Sequence, residues 1–225
     1  MTPDFRVDAL ELLTKHGWLA KRDPEFRRNL LQAGVLKSYD DGAHLYHCGD
    51  APDGLYGILS GAARVTVPAD DGQEYEAHRA QAGFWVGDLA LLSDTQRLIS
   101  LIAVGPTRVL FVPITKIERM LRDNPLFYRD FYALSSQNMA TSLRILANLA
   151  VRRADQKVAL RLLHLDETLP NPGDWIHLRQ DELADMVALS GPTLQRALQA
   201  LAARGLLEIG YRRIRILNRV QLMEM

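Results

Sequence analysis

A single cysteine, Cys48, stands among 225 residues. No internal disulfide can form, and a reducing compartment is expected. No run of about 18 apolar residues occurs, so nothing reads as a membrane-spanning helix. The start, with Asp4, Arg6, Asp8 and Glu11, has no apolar stretch of the signal-peptide kind. These readings predict no membrane partner. Net charge is missing as well: 27 basic residues balance 27 acidic ones, which argues against a protein that coats nucleic acid by bulk positive charge. The length allows two modest domains, each with its own core.

The exception to neutrality is local. Between residues 191 and 219, six arginines (Arg196, Arg204, Arg212, Arg213, Arg215, Arg219) face one acid, Glu208, a local balance of +5. This stretch overlaps residues 180–204, which read as two helices joined by a tight turn. Leu183, Val187, Leu189, Leu194 and Ala197 fall where two crossed helices touch, and Ala184 is small at the close approach. Ser190 sits at the N-cap of the second helix, Pro192 is tolerated in its first turn, and Gly205 ends it. Residues 206–217 then read as a hairpin with Tyr211, Arg212 and Arg213 at its tip. Helix-turn-helix plus basic hairpin is a winged helix, whose usual partner is double-stranded DNA. An ordinary helical pair in an unrelated core has the same apolar pattern; the one-signed charge separates the two readings.

Upstream, residues 5–36 read as helical, with apolar groups Leu10, Leu12, Leu13, Trp18 and Phe26, Leu30, Leu31, Val35, and with Asp23-Pro24 opening the second helix. From about 37 to 113, short apolar stretches alternate with Asp-Gly and Gly-Asp turns, which predicts an antiparallel sandwich or jelly roll. Asp71-Gly72 is its clearest hairpin. Residues 114–153 turn helical again. After Asn124-Pro125 a long helix without Gly or Pro carries two apolar edges in 4-3 spacing. One runs through Phe127, Phe131, Leu134, Asn138, Thr141 and Ile145. The other runs through Tyr132, Met139, Leu143, Leu146 and Ala150. Such a helix packs on its own domain and on something else, and the spacing suggests a second copy. Phe131, Leu134, Asn138, Ile145 and Leu149 are the residues assigned to this homodimer. A helix buried within one subunit is the competing reading. Residues 154–169 form one more helix before a Pro-rich loop. The fold class is therefore α+β, with a jelly roll at about 1–115, a linker and dimerisation helix at 116–153, and a winged helix at 154–225.

This order resembles the cyclic-AMP receptor/fumarate-nitrate regulator (Crp/Fnr) family of bacterial transcription factors. The match is carried by Gly49-Asp50, Gly54-Leu55-Tyr56, Leu59-Ser60-Gly61, Gly87-Asp88-Leu89, Arg97, Asn124-Pro125, Asn148-Leu149-Ala150, the helix-turn-helix and the wing. The resemblance implies a cytoplasmic homodimer in which a cyclic-nucleotide-binding-like β-roll receives a small-molecule effector and the winged helix reads an inverted repeat. RNA polymerase would be a further partner. Three recognition-helix positions that read bases in well-known members hold Gly191, Pro192 and Arg196 here. Arg196 can fork onto guanine, and Gln195 can pair with adenine. Gln180, Ser190 and Thr193 cluster at helix N-termini, where phosphates dock.

The resemblance also implies an effector pocket built on Gly87, Asp88, Leu89, Arg97, Leu98 and Ser142, and there the pattern departs. Asp88 replaces a ribose-binding Glu and is one methylene shorter. The segment to Arg97 is one residue shorter than in the cyclic-AMP receptor. Leu98 replaces a hydroxyl residue beside the cyclic phosphate, and of two adenine-docking hydroxyls Ser142 is kept while Leu143 has lost the other. An effector other than cyclic AMP, or none, is expected. An Asp88–Arg97 salt bridge left in the ancestral pocket is the bland alternative.

No cofactor or metal is expected. One cysteine cannot ligate an iron–sulfur cluster. His16, His44, His47, His78, His164 and His177 are possible haem or metal ligands. In the suggestive His44-x-x-His47-Cys48, however, residues three apart on a strand point to opposite faces. Cys48 has no near cation and reads as a packed small residue. No nucleophile–base pair or jelly-roll metal triad argues for an enzyme. The competing function is a sensor module, for haem or a molecule other than cyclic AMP, acting through a protein partner.

Overall fold

The computed structural model describes residues 13–15, 17–69, 72–169 and 171–225. Leu10, Leu12, His16 and Asp71 of the sequence reading lie outside them. Contacts divide the chain into two units. One holds the residues up to Ala140 apart from Tyr75–Ala77; the other holds those three and Thr141–Met225.

In the first unit, α1 (Gly17–Ala20) and α2 (Pro24–Ala33) precede β1 (Val35–Tyr39). The Asp23 side chain caps α2 by accepting from the Glu25 N–H at 2.8 Å, and Pro24 follows at the first turn. Val35 is not helical, as the 5–36 reading had it. Gly34 is already extended, and Val35 pairs with Phe111 at the head of β1. The strands β2 (His44–Tyr46), β3 (Gly54–Pro68), β4 (Glu74–Gln81), β5 (Trp85–Val86) and β6 (Ser100–Pro113) complete a six-stranded sheet. Its backbone path is β1-β6-β3-β4, with β2 on β6 and β5 on β3. β1, β2 and β3 each pair antiparallel with β6, and β5 pairs antiparallel with β3. This is the expected jelly roll. β3 and β6 are far longer than the short strands that the turn spacing suggested; they bend at register shifts around Ser60, where Gly61 has φ 77° and a Cβ would meet the Pro106 carbonyl at 2.6 Å.

A short helix, α3 (Asp88–Ser93), interrupts the roll between β5 and β6. After β6 come α4 (Ile114–Asp123), a 3-10 turn at Pro125–Phe127 capped by the Asn124 side chain, and the long α5 (Tyr128–Ala150). An aromatic cluster seats the start of α5. Phe26 lies edge-on to Phe127 and Phe131 at 5.2 and 5.1 Å, and Trp18 packs on Phe26 and Trp85, each at 5.6 Å. The Trp18 indole N–H donates to the Asp130 carbonyl at 2.8 Å. Such edge-to-face contacts add about 0.5–1.5 kcal/mol each beyond area burial.

The chain passes between units inside α5. The second unit continues with α6 (Ala154–Glu167), β7 (Ile176–His177), α7 (Gln180–Val187), α8 (Gly191–Ala203), β8 (Leu207–Gly210), β9 (Arg213–Ile216) and α9 (Arg219–Met223). The long helix stops at Ala150 rather than 153 because Arg153 turns extended as the N-cap of α6, its guanidinium on Asp155 at 2.6 Å. Leu183, Val187, Leu194 and Ala197 are buried in one core with Leu162, Leu198, Leu201 and Ile214, and Leu189 packs at its edge. The three strands order β7-β9-β8. Sequence reading missed β7, whose two residues are too few for periodicity to register.

His164 in α6 is 4% exposed. Burial, then the charges of Arg161 and Arg144, depress its pKa from 6.5 to about 4. It is neutral in the folded chain and protonates on unfolding below about pH 6.5. Its contribution to stability therefore falls as pH drops from about 6.5 to about 4, by at most about 1.4 kcal/mol per pH unit. Urea titrations followed by amide exchange of α6 should show this slope, and His164→Gln should flatten it.

Candidate nucleic-acid interface and effector pocket

The second unit exposes polar residues on α8, at the first turn of α7 and on the hairpin. Ala188 takes the left-handed conformation (φ 50°) between α7 and α8, and the backbone at Ser190 is extended as an N-cap. The Ser190 hydroxyl does not bond the helix backbone. It donates to Thr193 Oγ1 at 2.9 Å, and Arg196 Nη2 donates to the same oxygen at 3.3 Å. Spaced three apart, these residues run up one face of α8. Gln195 and Arg196 are exposed, as are Gln180 at the first turn of α7 and Gln199, one turn beyond Arg196. Gln199 was not singled out in the sequence because no motif marks it; its exposure next to Arg196 does.

A cleft of about 440 Å³ opens between the first turn of α7 and the hairpin, lined by Arg179, Gln180, Tyr211, Arg212 and Arg213 among others. Tyr211 is 89% exposed. Arg212 sits in the left-handed region (φ 53°), where a non-glycine residue costs about 1 kcal/mol or more. That strain turns the hairpin within two residues and leaves the guanidinium outside.

The local charge is smaller than the arginine count. Arg215 is paired with Glu208. Arg219 pairs with buried Asp166 and with Glu167 at 2.7 Å. Both are structural, and neither belongs to a free basic face. Arg196, Arg204, Arg212 and Arg213 have no acidic partner among the described residues.

In the β-roll, Asp88 and Arg97 are both buried, 3% and 2% exposed, but they do not form the expected salt bridge. Arg97 pairs with Asp53 at 2.7 Å and donates to the carbonyls of Gly54 at 2.7 Å and Gly87 at 2.9 Å. Its guanidinium lies 4.3 Å over the Tyr46 ring. Asp53 was overlooked because an acid 44 positions away carries no spacing signal. Gly87 (φ 105°) has no room for a side chain: a Cβ would lie 2.7 Å from Arg97 Nη1 and 3.0 Å from the Gly54 carbonyl. Asp88 instead accepts from the long helix, from the Ser135 hydroxyl at 2.6 Å and Asn138 Nδ2 at 2.8 Å. Burial pushes its carboxyl above the usual range, and the bonds from Ser135 and Asn138 oppose that. Leu89 and Leu98 are exposed, 48% and 57%, so Leu98 does not fill the interior. Ser142 lies on α5 beyond the point where the second unit begins.

The assignment of α5 residues to a dimer needs correction. Phe131 and Leu134 are buried in the first unit's own core, 0% and 1% exposed, and Asn138 is engaged with Asp88 and the Trp85 carbonyl. Ile145 is half-buried and Leu149 is 40% exposed. The free apolar edge is the other one: Tyr132, Met139, Leu143 and Leu146 are 53–73% exposed. Both edges have the same 4-3 spacing, so periodicity alone could not say which one the roll covers.

The His44 and His47 rings, expected on opposite faces, stack at 3.9 Å with 15° between planes. The strand shifts register after His44 and ends at Tyr46, so alternation no longer applies at His47. Among the described residues no group of three or more His, Cys, Asp or Glu could hold a metal ion, and no helix is long and apolar enough to cross a membrane.

Two family models match the chain: a cyclic nucleotide-binding domain over residues 36–124 and a Crp-like helix-turn-helix domain over residues 156–225. The cyclic AMP receptor protein of Thermus thermophilus is 28% identical over 172 residues, covering 76% of this chain and 79% of that protein. A cAMP-dependent protein kinase type II regulatory subunit of Drosophila melanogaster is 38% identical over 96 residues, 42% of this chain and 25% of that protein. Among solved structures, FixK2 from Bradyrhizobium japonicum superposes with a TM-score of 0.76 at 23% identity, covering 85% of this chain and 96% of that one.

Proposed function

Since the chain belongs to the Crp/Fnr family of transcription regulators, we propose that it works in the cytoplasm as a homodimer on an inverted repeat of duplex DNA, under an effector other than cyclic AMP. The observation that carries the DNA reading is the exposed Arg196, aligned by Thr193 on the outer face of α8. Gln195 supplies a second base-reading group, and Ser190, Thr193, Gln180, Tyr211, Arg212 and Arg213 are the phosphate-positioning set. RNA polymerase is the partner on which a DNA-bound regulator acts. The homodimer is supported by the exposed edge of α5, so its contacts are reassigned to Met139, Leu143 and Leu146, with Leu149 retained.

The effector reading rests on the protein's own hold on the roll's two polar anchors. Arg97 already donates to three oxygens, and both carboxylate oxygens of Asp88 already accept. A cyclic nucleotide that drew on the Nη donors of Arg97 or on the Ser135 and Asn138 contacts of Asp88 would give up such bonds, and charged hydrogen bonds are worth about 1.5–3 kcal/mol each. The likeness over 96 residues to a cAMP-dependent protein kinase type II regulatory subunit favours the opposing reading, in which the nucleotide site is retained.

Three measurements follow. Arg196→Ala should remove discrimination between an operator and random duplex, at about 1–3 kcal/mol per half-site. Arg212→Ala should weaken all sequences alike and flatten the salt dependence. Unchanged specificity in Arg196→Ala would move base reading elsewhere on α8. Sedimentation should give twice 25.3 kDa, and Leu143→Glu with Leu146→Glu should give the monomer; a wild-type monomer would overturn the dimer. Titration calorimetry with cyclic AMP and cyclic GMP should show no saturable heat up to roughly 100 µM. A micromolar Kd that Arg97→Ala abolishes would establish the opposing reading.

A further inference from the structure

The outer face of the small sheet carries an arrangement with no part in the fold's core. β7 pairs with β9 in the register Ile176↔Ile214 and His177↔Arg213. Side chains alternate along strands, so Trp175, just ahead of β7, comes to the same face as Arg213 and Arg215. Both guanidiniums lie over the Trp175 ring, with Cζ at 4.2 Å for Arg213 and 4.8 Å for Arg215. On β8 the residue opposite Arg215 is Glu208, which pairs with it, and the residue opposite Arg213 is Gly210. A Cβ on Gly210 would lie 3.0 Å from Arg213 Cγ and Nε and 3.5 Å from the Trp175 ring. Glycine here lets Arg213 lie flat across the strand.

The two arginines therefore differ. Arg215 is neutralised by Glu208 and closes one side of the stack. Arg213 has no acidic partner among the described residues. Stacking engages the face of a guanidinium and leaves its N–H donors, which lie in the plane, directed outward. A free exposed arginine gives up rotamer freedom when it binds; one already stacked has given up much of it.

We propose that Trp175 is a positioning residue for the wing, holding Arg213 ordered so that its guanidinium edge meets a DNA phosphate. This rests on the reading of the wing as a phosphate contact. Affinity for duplex DNA should fall about two- to tenfold per wing in Trp175→Ala, while the slope of log K against log salt stays near wild type because the charge remains. Arg213→Ala should lower that slope by about 0.9 per wing. Trp175→Phe should restore most of the loss. In an Arg213→Ala background, Trp175→Ala should add nothing. Urea midpoints keep a folding defect apart from a binding defect, and the Arg213 Nε–H signal in DNA-free protein should be ordered in wild type and averaged in Trp175→Ala. An equal loss in the Arg213→Ala background, or no loss with Arg213 intact, overturns the proposal. An ordered Arg213 whose removal leaves affinity and salt slope unchanged refutes the wing as a phosphate contact, and with it this role for Trp175, although the stack itself would stand.

Discussion

The first unit depends on how its sheet holds the start of α5, and the most constrained contact there is a buried carboxylate without a cation bonded to it. Asp88 is 3% exposed, and its two oxygens are taken by Ser135 and Asn138 of the helix. Burying a carboxylate is costly, and only donors placed close to it make the ionised form tolerable. The aromatic cluster of Trp18, Phe26, Trp85 and Phe131 supplies the apolar surface that brings the helix there. The carboxylate then sets its rotation, since the hydroxyl and the amide must both face inward. With that rotation, Phe131 and Leu134 point into the core and Tyr132, Met139 and Leu143 point away.

Most of the fold was legible in the residues. The Asp-Gly punctuation marked a β-roll, and the spacing from Leu183 to Ala197 marked two crossed helices whose apolar positions are buried. The misses share a cause: local patterns do not report long-range partners. Val35 continued a helical apolar series, yet Phe111 across the sheet claims it. Arg97 found Asp53 rather than Asp88. Arg215 and Arg219 counted toward a basic face until Glu208, Asp166 and Glu167 claimed them. The stacking of His44 on His47 escaped an argument that held only while the strand continued.

Charge in the second unit follows the same division between structure and reach. Arg219 joins α9 to Asp166 and Glu167 at the end of α6, and Arg144 joins Glu167 from the other side at 2.7 Å. Asp166 also accepts from the Gly173 N–H at 2.7 Å, so one buried acid fixes a helix end, a loop and the chain's last helix. Removing such a buried partner leaves an uncompensated charge and is far more damaging than losing a surface pair. Arg196, Arg204, Arg212 and Arg213, without acidic partners among the described residues, lie along α8, at its end and on the hairpin, where a polyanion can engage them without unfolding anything.

The bonds from Ser135 and Asn138 to Asp88 also bear on what an effector of this roll can do. A ligand that takes either oxygen from Ser135 or Asn138 has its affinity reduced by the free energy of that contact. By linkage it loosens the attachment of α5 to the same extent. A ligand that leaves Asp88 alone has no direct hold on the helix through this contact, however tightly it binds elsewhere in the roll, because equal affinity for both states shifts no equilibrium. Since α5 runs without interruption from Tyr128 to Ala150, a change in its attachment at Ser135 and Asn138 bears on the whole helix, including the exposed edge at Met139, Leu143 and Leu146.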